Sequence, residues 1–164
     1  MERLLWYRLS HPLYVFSFES SKERSVMIKE LISDEEVLSK PAEPAGVEDA
    51  DLVQDLLDTM ASLDDCACLA ANQIGVAKAV IVYQTDKHPH VMLNPKLVAM
   101  VKPYMAMEGC LSLKRETPVK RFQLIRVSYD TIVDGKLVSQ TRKFTGWTAE
   151  IIQHGIDHCA GVLV

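Results

Sequence analysis

Two histidines four residues apart carry the clearest chemical signal in this chain: Gln153-His154-Gly155-Ile156-Asp157-His158. On a helix, four residues make slightly more than one turn, so both imidazoles leave the same face and can close on one metal ion. In the metal-hydrolase pattern H-E-x-x-H, the residue after the first histidine is a glutamate that handles a proton. Here it is Gly155. The pattern keeps the metal pair and lacks the base.

A third ligand is expected from Cys110, in Glu108-Gly109-Cys110-Leu111-Ser112. One thiolate and two imidazoles leave one tetrahedral position open, the arrangement of a catalytic metal rather than a structural one. A free cysteine is by itself weak evidence, since buried thiols commonly act as small hydrophobes. A structural site would need a fourth ligand, and Cys66, Cys68 and Cys159 are its candidates. His88 and His90 fall on an expected turn and read as solvated. Asp157 precedes His158 by one residue and so points about 100° away on a helix. Glu108 is expected to orient a ligand or an arginine, with Arg115 or Arg121 as its partner.

The elements that must position these groups follow from periodicity. Leu52, Val53, Leu56, Leu57 and Met60 repeat at helical spacing within 47–63, with acids on the other side. Asp34, or Ser33, followed by Glu35 and Glu36 suggests a cap on a short helical turn, ended by Pro41 and Pro44. Residues 79–83, 91–93 and 96–101 read as strands, with a turn at 85–89 and a break at Asn94-Pro95. Residues 121–129 alternate, Asp134-Gly135 marks a hairpin, and 136–144 is the return strand. The last helix is expected over 147–160, with Gly161 as its C-cap. The fold class is therefore α+β, mostly antiparallel sheet around a C-terminal metal-binding helix.

Composition narrows the remaining classes. The 164 residues fit one domain, with 48% hydrophobic and 24% charged residues. A net charge of −4 gives no footprint for nucleic acid or an anionic membrane. No apolar run approaches the roughly 20 residues that span a bilayer. Four cysteines without a leader pattern read as reduced thiols in a cytoplasm. Residues 1–26 differ from the rest: Trp6, Tyr7, Tyr14, Phe16 and Phe18 crowd together, and 14–18 alternates weakly, as a strand would. Arg8, His11 and Pro12 interrupt the apolar run, against a targeting peptide. Met27 opens a stretch that reads like a natural start, so residues 1–26 are read either as an extension or as the result of a misassigned start codon, and 27–164 as the domain.

Three stretches in order resemble the peptide deformylases, whose patterns are G-x-G-L-A-A-x-Q, E-G-C-L-S and Q-H-E-x-D-H. The chain has Cys66-Ala67-Cys68-Leu69-Ala70-Ala71-Asn72-Gln73, the complete second motif at Glu108–Ser112, and the histidine stretch. Lys120-Arg121-Phe122 and His158-Cys159 resemble a deformylase-like branch of Gram-positive bacteria. The resemblance implies that Cys110, His154 and His158 hold one divalent ion, ferrous iron in the cell, with zinc or nickel as alternatives. It implies N-formylmethionyl peptides as substrate, met as nascent chains at the ribosome. Gln73 and the backbone N–H of Leu111 would stabilise the oxyanion. Backbone at Ala67, Cys68 and Gly109 would line the peptide, and Trp147, Glu150 and Ile151 would shape the methionine pocket.

The chain departs from the pattern twice, with Gly155 for the glutamate and Cys68 for the second glycine. A glycine costs roughly 1 kcal/mol against alanine in a helix interior, so stability does not favour the first change. Deformylation is expected to be weakened or lost. The alternative is a metal-bearing protein that binds formylated N-termini, or another ligand, without turnover.

Overall fold

The structure is a computed structural model and describes residues 24–164. The strand suggested at 14–18 lies outside the described residues. The order of elements is α1 (Glu35–Leu38), α2 (Ala50–Ser62), β1 (Cys68–Ala70), β2 (Val80–Thr85), β3 (His88–Gly109), β4 (Glu116–Val133), β5 (Lys136–Thr145) and α3 (Gly146–Ala160). Short 3-10 turns at Val47–Asp49 and Ala71–Ile74 precede α2 and follow β1.

The five strands form one antiparallel sheet in sequence order. Its two faces are divided by the alternation of β2. Val80 and Val82 pack with Val53, Leu56 and Met60 of α2. Ile81 and Tyr83 point the other way, into a cluster with Ile125, Val127 and Ala149, Ile151 and Ile152 of α3. Each fully buried aliphatic side chain contributes roughly 1.5–3 kcal/mol. No helix among the described residues is long and apolar enough to cross a membrane.

The expected turn at 85–89 contracts to Asp86 and Lys87, both at positive φ, because Thr85 already pairs with His88. Asn94-Pro95 does not break the chain. It is an irregularity inside the continuous β3, with Asn94 at φ +52°. The Asn94 side chain holds that geometry: Oδ1 accepts from the N–H of Ala45 at 2.7 Å and Nδ2 donates to the carbonyl of Ala45 at 2.9 Å. Past it, β3 and β4 pair from Leu93↔Asp130 to Gly109↔Glu116, far beyond the short strands the periodicity suggests. That long hairpin carries the cysteine motif to α3.

Helix α3 is pinned by its own motif residues. The buried Gln153 amide donates to the carbonyl of Phe122 and accepts from its N–H, both at 3.0 Å. The helix ends at Gly161, in the left-handed region at φ +71°. A Cβ there would lie 2.3 Å from the carbonyl oxygen of Ser39, so only glycine allows this close approach.

Candidate metal centre

Cys110 follows immediately on the last residue of β3, and His154 and His158 project from α3. Their ligand atoms lie within 4.8 Å of one another, the group of metal-ligating type that the described residues bring together. Cys110 Sγ is 3.3 Å from His158 Nε2. His158 is buried, and its Nδ1 has no partner among the described residues. The donor set fits a divalent transition metal: three donors of the soft and borderline type, converging on one point.

The surrounding charges orient these donors. Glu108 Oε2 lies 2.9 Å from His154 Nδ1, which leaves Nε2 for a metal. Arg121 donates to both oxygens of Glu108, at 2.6 and 2.8 Å, and to Asp157 Oδ2 at 2.6 Å. Of the two arginines suggested for Glu108, Arg121 takes it; Arg115 instead donates to Glu35 at 2.7 Å. Burial alone would raise the Glu108 carboxyl, but hydrogen bonds from Arg121 and His154 outweigh it and hold it at about 2. Burial likewise opposes ionisation of Cys110, yet His154 and His158 bring it down to about 5. Burial disfavours charge on His154, but Cys110 and Glu108 raise it to about 9. The other three thiols go the opposite way, pushed up by burial, Cys66 to about 11 and Cys159 to about 12.

Beside the triad lies a cavity of about 350 Å³. Ala67, Cys68, Gly109, Leu111, Trp147 and Ile151 line it, together with Gln73, Cys110 and His154. The Gln73 amide is fixed by its Oε1, which accepts from the N–H of Ala70 at 2.9 Å. Its Nε2 then faces Ser112 Oγ at 3.2 Å and Cys110 Sγ at 3.6 Å. Gly155 is buried behind His154, against Cys68 and Ile81. Three carboxylates line the cavity. Glu108 is taken by Arg121 and His154, Glu150 accepts from the Tyr104 hydroxyl, and Asp65 is exposed to solvent.

Two supporting residues escaped the sequence reading. Asn72 donates to the carbonyls of Leu38 and His158, at 3.1 and 2.9 Å, and so ties the end of α3 to α1. Ser112 meets Gln73 across 39 residues of sequence. Both stand inside motifs already singled out, but their partners are long-range. His90, read as a solvated loop residue, stacks on Tyr83 at 4.9 Å between ring centroids.

An antiparallel sheet whose C-terminal helix carries His154 and His158, met by Cys110 from the end of β3, defines the class of the metal-dependent peptide deformylases. The family model for polypeptide deformylase matches residues 28–164. The chain is 37% identical to a peptide deformylase of Clostridium beijerinckii over 139 residues, covering 84% of this chain and all of that one. It superposes with a class I type b peptide deformylase from Acinetobacter baumannii at a TM-score of 0.73 and 26% identity, over 85% and 97% of the two chains. A peptide deformylase from Synechococcus elongatus, solved in complex with actinonin, gives 0.72 and 29%, over 94% and 85%. The chain belongs to the polypeptide deformylase family.

Proposed function

We propose that this protein is a metal-dependent amide hydrolase of the deformylase type, acting on N-formylmethionyl peptides, with turnover weakened or lost through Gly155. The observation that carries the reading is the convergence of Cys110, His154 and His158 beside a cavity that Gln73 also lines, its amide fixed by the N–H of Ala70. A divalent ion held by the three would polarise a formyl carbonyl and acidify a water. Iron is the proposed ion, and nascent chains in the cytoplasm the proposed substrate.

The chain's own groups supply the rest. Gln73 Nε2 and the backbone N–H of Leu111 would donate to the developing oxyanion. Backbone at Gly109, Ala67 and Cys68 would run beside the peptide as an added strand does. Trp147 and Ile151 would wall the methionine side chain. The step left without a group is the passage of water's proton to the departing amine. General acid–base groups commonly contribute about 10²- to 10⁴-fold. Neither Glu108 nor Asp157 can take that role while Arg121 holds both.

That gap favours a second reading, a protein that binds formylated N-termini without turnover. The two are separated by loading the anaerobically purified chain with iron and following a formyl-Met tripeptide. Hydrolysis supports the enzyme. Saturable binding without formate release supports the binding protein. Absence of both, with metal bound, removes the substrate class.

A further inference from the structure

Position 155 and the thiol of Cys68 compete for one space. A Cβ added to Gly155 would lie 2.8 Å from Cys68 Sγ, 3.0 Å from Ile81 Cδ1 and 3.2 Å from Ile81 Cγ2. Non-bonded carbon atoms are most favourable at about 3.5–4.0 Å, so even a methyl group at 155 meets an occupied site. The register explains the encounter. Along β1, Leu69 faces the α2 cluster, while Cys68 and Ala70 face the α3 cluster. Cys68 pairs with Tyr83 and Ala70 with Ile81, so the thiol and the Ile81 side chain converge on the same turn of α3.

We propose that Cys68, with Ile81 beside it, closes position 155, so that the two departures from the family pattern are one coupled change. The thiol fills the volume that a side chain at 155 would enter, on the wall of the cavity beside His154. A carboxylate restored at 155 must displace the thiol before it can stand where a base would. Cys68 is thus a positioning residue, acting through the space it denies to position 155. The steric half of this stands on the geometry alone. The catalytic half rests on the deformylase reading.

The test is a two-position cycle in the full chain. Alanine for glycine in a helix interior is ordinarily stabilising. Here Gly155→Ala is expected to lower the thermal midpoint clearly more in the Cys68 background than in the Cys68→Gly background, where the Ile81 contacts alone remain. An equal shift in the two backgrounds overturns the proposal. Should Gly155→Ala alone fail to fold, recovery of folded protein in Cys68→Gly/Gly155→Ala supports the pairing, and continued failure overturns it. The same cycle with glutamate reads the catalytic half. Iron-loaded Gly155→Glu is expected to deformylate a formyl-Met tripeptide no faster than the parent. Cys68→Gly/Gly155→Glu should exceed both by about 10²- to 10⁴-fold. A Gly155→Glu variant as active as the double overturns the coupling. If the alanine shift differs between the two backgrounds but neither glutamate form turns over, the coupling stands and the deformylase reading fails.

Discussion

Glu108 Oε2 lies 2.9 Å from Nδ1 of His154 and is gripped on its other side by Arg121. The carboxylate thereby fixes which imidazole nitrogen is left for a metal. Removing such a partner typically costs 10- to 100-fold in metal affinity. Glu108→Gln is expected to weaken iron or zinc binding by about that factor, measured by competition with a chelating indicator. Unchanged affinity would show that His154 is oriented by packing alone.

The same ion pair sets a pH dependence. The Glu108 carboxyl sits at about 2, below its usual 4.5. Its contribution to stability is therefore fully present above about pH 4.5 and lost as pH falls toward 2. In Glu108→Gln, denaturant midpoints should vary less across that window than in the parent. Parallel acid limbs in the two proteins would contradict the assignment.

Thiol identity offers a sharp comparison. Cys110→Ser is expected to abolish binding of one metal per chain. Cys66→Ser, Cys68→Ser and Cys159→Ser should each retain it, because only Cys110 joins the two histidines. Loss of metal from any of those three, in a folded variant, would point to a closed four-ligand structural site.

Gln153 should matter to folding more than to chemistry. Its amide satisfies both backbone groups of Phe122. Gln153→Leu leaves these half-buried groups without their partner, at about 1 kcal/mol each, the low end of the cost for a buried group. The expected result is a lower denaturant midpoint with an unchanged slope. Wild-type stability would mean that water replaces the amide.

Much of this site was legible in the sequence, because spacing is a local property. A step of four residues from His154 to His158 places both on one helix face wherever that helix packs. Alternation and the Asp134-Gly135 turn were enough for an antiparallel α+β class, and Gly161 for the helix end. The uninterrupted β3 was not legible: Asn94-Pro95 reads locally as a break, and only the reach of Asn94 to Ala45 shows it as an irregularity within a strand. The choice of Arg121 over Arg115 for Glu108 depended on the register of β3 with β4, which no local pattern encodes. The meaning of Gly155 lay furthest from the sequence. Read alone it is a missing base. Only the packing of β1 and β2 under α3 shows that Cys68 and Ile81 already fill the space, since contacts across 87 and 74 residues are fixed by the fold and not by spacing along the chain.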